Sequence, residues 1–207
     1  MSLRSAGRWF GVAAAGVAIV LTTGCGPAPW NGDGGGEPTA SKTSAPAPKP
    51  VENDLSGGST QRTVTAGAVT ATIDYWSTLS MDRWTPMALK PVSLSMSTTV
   101  TPDDGQKVYL QKASMVAVPA NETETFEPLA PQVDQSTGGN GYLVLAPYSY
   151  SQSFNVGDVP EEATFVTLQF TYEFLVQTTP TSNEFAKQTG TDTLVVAIAP
   201  APADEAD

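Results

Sequence analysis

The feature that most restricts what this 207-residue chain can fold into is an alternation of period two that begins near Thr63 and runs almost to its end. A β-strand turns successive side chains to opposite faces, so apolar residues at every second position mark one buried face. The longest run sets Val166, Leu168, Phe170, Tyr172, Phe174 and Val176 against Thr167, Gln169, Thr171, Glu173 and Gln177. Val92, Leu94 and Met96 alternate with Ser93, Ser95 and Ser97, and Val69, Ala71, Ile73 and Tyr75 with Thr70, Thr72, Asp74 and Trp76. Tyr148, Tyr150, Gln152, Phe154 and Val156 alternate with serines and Asn155, Lys107 to Val118 is extended, and Leu194, Val196 and Ile198 close the pattern. No stretch of ten residues repeats every 3.6. Antiparallel strands that each bury one face pack as two sheets, so the pattern predicts an all-β sandwich of about 6–8 strands over residues 61–200.

The connections are read from their turn chemistry. Thr101-Pro102-Asp103-Asp104-Gly105 predicts a hairpin turn, with Pro fixing φ and Gly admitting positive φ. The acidic stretch 119–141, broken by Pro128 and Pro131, reads as loop, and so does the polar segment 178–190. Residues 26–60 are built from Gly, Pro, Ala, Ser and Thr, including Gly34-Gly35-Gly36 and Ala45-Pro46-Ala47-Pro48, and cannot bury a core. Residues 25–60 are therefore expected to form a tether, spanning about 30 Å as a coil and roughly 100 Å drawn out. Residues 201–207 form an acidic tail.

At the front of the chain Arg4 and Arg8 precede twelve apolar or glycine residues, Phe10 to Leu21, and then Thr22, Thr23, Gly24 and Cys25. Charge, apolar core and small cleavage residues, in that order, make an export signal. Leu21-Thr22-Thr23-Gly24-Cys25 resembles the lipobox of bacterial lipoproteins, with its leucine one place earlier than the family pattern. The resemblance implies that residues 1–24 are a signal peptide cut between Gly24 and Cys25. It implies further that diacylglycerol on the Cys25 thiol holds the protein at the outer face of the cytoplasmic membrane. The competing readings are an uncleaved membrane helix, for which the run falls short of about 18 to 20 residues, and ordinary secretory cleavage, for which Ala13 to Ala15 lie too deep in the apolar run. The strand pattern, in turn, resembles the immunoglobulin-like domains of bacterial surface lipoproteins, and more loosely uncharacterised exported proteins of high-GC Gram-positive bacteria.

Composition then prunes the functions. Without residues 1–24 the chain has 8 basic and 21 acidic residues, a net charge of −13. Such a chain repels nucleic-acid phosphates and anionic lipid headgroups, so nucleic acid is excluded as a partner and membrane attachment falls to acyl chains. There is no histidine and only one cysteine, which removes Ser-His-Asp and Cys-His catalysis and the usual zinc shells. No cofactor or metal is expected. Calcium needs clustered oxygen donors, and Glu122, Glu124, Glu127 and Asp134 lack the spacing of a calcium loop. Candidate partner-binding residues are Trp76, Met81 and Trp84 between the first strands, and Asn183, Phe185 and Lys187 in segment 178–190, with Trp84 and Phe185 as plugs of the sandwich ends being the plainer reading. Tyr148 and Tyr150 offer a sugar-stacking face or, more simply, core tyrosines. Two functions follow: a non-catalytic displayed domain that binds a protein or wall polymer, or a wall-acting hydrolase or transferase using Asp158 with Glu161 or Glu162 as acid and base.

Overall fold

The computed structural model describes residues 51–201; residues 1–24, Cys25 and most of the expected tether, with nearly all of the acidic tail, lie outside them. The described chain is all-β, with strands β1 (Ser59–Ala66), β2 (Val69–Trp76), β3 (Lys90–Val100), β4 (Val108–Ala120), β5 (Gln132–Gln135), β6 (Tyr142–Leu143), β7 (Tyr150–Val156), β8 (Phe165–Gln177) and β9 (Phe185–Ala197). One sheet has the order β1-β2-β3-β7 and the other β5-β4-β8-β9, with β6 also on β4. Every pairing between these strands is antiparallel. The predicted sandwich is therefore present. Taking β2 as the first strand, A, the order is that of an immunoglobulin-type sandwich: A-B-E in one sheet and C-F-G in the other. β1 is added in front, and β5 and β6 stand at the C′ edge.

Alternation locates the core. Val69, Ala71, Ile73 and Tyr75 of β2, Val92, Leu94 and Met96 of β3, and all six apolar residues named above on β8 are buried. Tyr75 and Phe154 from the first sheet meet Phe170 of the second at ring-centroid distances of 5.1 and 6.0 Å. Within this apolar layer the Tyr75 hydroxyl lies 2.9 Å from that of Tyr172 and donates to Asp192 at 3.0 Å. Burial, together with the neighbouring hydroxyl and carboxylate, pushes the ionisation of Tyr75 far above the ordinary tyrosine range. Both hydroxyls stay protonated and tie β2 to β8 and β9.

Four sequence expectations are corrected. The ordered body starts before residue 61: Leu55 is fully buried, and Asp54 pairs with β9, its N–H donating to Val195 O and its carboxylate accepting from Val195 N, both at 2.8 Å. A single leucine in a Gly/Ser-rich stretch is invisible to composition. Residues 101–107 do not form a hairpin, because β3 is already paired on both sides, by β2 and β7, and the chain crosses instead to the other sheet. Segment 119–141 is not all loop: β4 runs to Ala120, β5 pairs with Lys112 to Met115, and Leu129 N–H adds a bond to Ala117 O. The polar segment 178–190 holds the first six residues of β9, which sit directly across from Tyr172 to Gln177. Strand pairing there overrides a composition poor in apolar residues.

Candidate functional site

Because β1, β2, β3 and β7 turn their apolar residues inward, their other side chains form one outer face. The register aligns them in rows: Ser59, Trp76, Ser93 and Ser153; Gln61, Asp74, Ser95 and Ser151; Thr63, Thr72 and Ser97; Thr65, Thr70 and Thr99. Successive rows lie roughly 7 Å apart along the strands. Every member is a hydroxyl or amide residue except Asp74 and Trp76. Asp74 accepts from Gln61 Nε2 at 2.7 Å, and the Ser93 and Ser153 hydroxyls, from strands distant in sequence, are 2.6 Å apart.

Trp76 is half-buried at the end of this face. It walls a hollow of about 260 Å³ whose remaining lining is Ser93, Leu94, Ser151, Gln152 and Ser153. The lining is thus three serines, a glutamine and Leu94 beside an indole wall, a combination that can hydrogen-bond a polar ligand while covering its apolar side. Sequence reasoning named Trp76 and missed the serines. Their outward alternation was visible, but nothing local indicates that β7 lies beside β3.

The remaining candidates separate. Trp84 is fully buried: its Nε1 donates to Ser77 Oγ at 3.2 Å and its carbonyl accepts from Ala199 N at 2.9 Å. It plugs the end of the sandwich and is withdrawn as a partner-binding residue. Just after it, Lys90 is also fully buried, and its Nζ donates to the carbonyls of Thr85, Pro86 and Ala88 at 3.1, 3.1 and 2.6 Å. This ammonium, pushed below the ordinary lysine range by burial, pins the loop that joins β2 to β3. No sequence signal pointed to it.

Asn183, Phe185 and Lys187 lie at the opposite end of the strands from Trp76 and do not join it, since Gln177 pairs with Phe185 while Phe165 pairs with Ala197 beside the Trp84 end. Asn183 is exposed in the turn before β9. Phe185 is half-buried, edge-on to Tyr109 at 5.8 Å, and Lys187 is held by the Glu173 carboxylate. Tyr150 is a core residue whose hydroxyl donates to Asp134 at 2.6 Å, whereas Tyr148 is exposed in the loop before it, so the two make no common face.

Asp158, Glu161 and Glu162 are exposed around the turn before β8. Asp158 borders a groove of about 480 Å³, but the other residues along it, among them Leu89, Met115, Leu129, Pro131 and Gln132, are apolar or amide. No second carboxylate faces it there. Among the described residues no three of Asp, Glu, His and Cys gather as a metal site would require, and no helix is long and apolar enough to cross a membrane. The chain matches no protein-family model, and no curated protein is similar to it in sequence.

Proposed function

We propose that this protein is a membrane-anchored lipoprotein of the cell envelope, carrying a non-catalytic β-sandwich that binds an envelope partner, a protein or a wall polymer. The anchor is the acylated Cys25, after removal of residues 1–24, and the tether holds the domain away from the outer face of the cytoplasmic membrane. The observation that carries the binding role is the outer face of the β1-β2-β3-β7 sheet, where one half-buried indole closes a hydroxyl-lined hollow. A hydrolase reading draws no comparable support, because Asp158, Glu161 and Glu162 flank no shared cleft.

Site-specific photo-cross-linking of the anchored, full-length chain in its native envelope tests this. A photo-reactive residue at Ser95, in the middle of the face, is expected to give a discrete adduct, while one at the exposed Glu122 gives none. Equal labelling from both positions, or none from Ser95, defeats the proposal.

A further inference from the structure

Resting on that reading of the sheet face, we infer that its ligand is a neutral polysaccharide, bound with a sugar ring flat against Trp76. The chemistry of the face excludes the other classes in turn. An anionic polymer needs cations, and the four rows contain no lysine or arginine, only the carboxylate of Asp74. A basic peptide or metal ion needs several carboxylates, and the single one present is already bonded to Gln61 Nε2. An apolar protein surface needs an apolar patch, yet Trp76 and, one row further on, the half-buried Pro91 are the only apolar side chains at the outward positions of these four strands. A neutral ligand rich in hydroxyls, with C–H groups on its ring faces, satisfies all three conditions at once.

The geometry agrees with the chemistry. Hydroxyls both donate and accept, and so does the amide of Gln61 taken as a whole group, which matches alcohol groups of either role. The indole supplies the flat, weakly negative surface that the C–H side of a sugar ring covers. Ser93 and Ser153 bond to each other at 2.6 Å, so the floor of the hollow is fixed before a ligand arrives. Beyond the hollow the face continues for two more rows made up wholly of threonine and serine hydroxyls. That suits a chain of sugars better than a single one.

Affinity electrophoresis of the detergent-solubilised full-length protein, in gels containing a soluble α-glucan, β-glucan, mannan, galactan or arabinan, decides the matter. Polygalacturonate serves as the anionic comparison. At least one neutral polymer is expected to retard the wild type, Trp76→Ala to weaken that binding by about tenfold or more, and Trp76→Phe to retain part of it. Phe185→Ala, at the far end of the body, should bind as the wild type does. Circular dichroism and melting of each variant separate lost binding from lost fold, and the Trp76→Phe protein carries the comparison if Trp76→Ala does not fold. No retardation by any neutral polymer, retardation by polygalacturonate alone, or equal losses in the Trp76 and Phe185 variants overturns the inference. A protein adduct from the Ser95 photo-probe without polysaccharide binding overturns the sugar ligand and leaves the binding module standing; failure of both experiments removes both.

Discussion

At the scale of single residues, the polar groups inside the sandwich carry more consequence than their number suggests, because a buried donor or acceptor that loses its partner forfeits its full desolvation cost. Lys90 satisfies three carbonyls of one loop with a single ammonium. Replacing it with methionine keeps the stem and removes all three bonds, so Lys90→Met is expected to lower unfolding stability by about 2–4 kcal/mol in denaturant titrations at neutral pH. Tyr75→Phe leaves the Tyr172 hydroxyl and the Asp192 carboxylate without their shared partner, for an expected loss of about 1–3 kcal/mol by the same measurement. Sequence shows such residues unevenly. Tyr75 stood at an inward position of a clear alternation, so its burial could be read. Lys90 also stands at an inward position, two residues before Val92, but charge is ordinarily evidence of exposure, and its burial depends on the carbonyls of a loop folded over it and on the negative charge of Asp158.

At the scale of strands, the second sheet is joined on its outer face by charge. Glu173 of β8 accepts from Lys112 of β4 at 2.7 Å and from Lys187 of β9. Lys112 first, then Lys187, holds the Glu173 carboxyl below its ordinary value of 4.5, against a smaller opposing effect of burial. A carboxyl whose pKa is depressed on folding contributes stability that is fully present above the unfolded value and is lost as the pH falls through the folded one. Stability should therefore decline below about pH 4.5, and Glu173→Gln should flatten that part of the acid limb in denaturation midpoints measured from pH 6 to pH 3. The position of Lys112 depends on an irregularity. The register shifts between Leu110 and Lys112, so that Leu110 and Ala113, three apart, both face inward while Lys112 stays outside. That shift is why Lys107 to Val118 shows extended character without strict alternation, whereas β8, which has no bulge against β9, can be read position by position.

At the scale of the whole molecule, the two-sheet architecture was legible because burial of one face per strand leaves its period in every segment. Which strands become neighbours was not. The pairings of β3 with β7 and of β4 with β8 span distant parts of the chain and depend on how the two sheets close over a common core, so the serine-lined face could not be assembled from local pattern. The opposite location of Trp76 and Phe185 was hidden for the same reason. The anchor is a separate question, decided by chemistry outside the described residues. Cys25→Ser is expected to accumulate the uncut precursor and to abolish incorporation of labelled fatty acid, as seen by intact-protein mass spectrometry and metabolic labelling. Unchanged processing and labelling in that variant would refute the anchor.

The contacts that Gln132 and Asp54 make have a consequence for association. The Gln132 side-chain amide bonds to both the N–H and the carbonyl of Asn155 on the outer margin of β7, and Asp54 does the same for Val195 on β9. Unoccupied main-chain groups at such margins invite a neighbouring molecule to add its own strand. With those places already filled from within, Asn155 and Val195 offer no free main-chain group to a strand from another molecule.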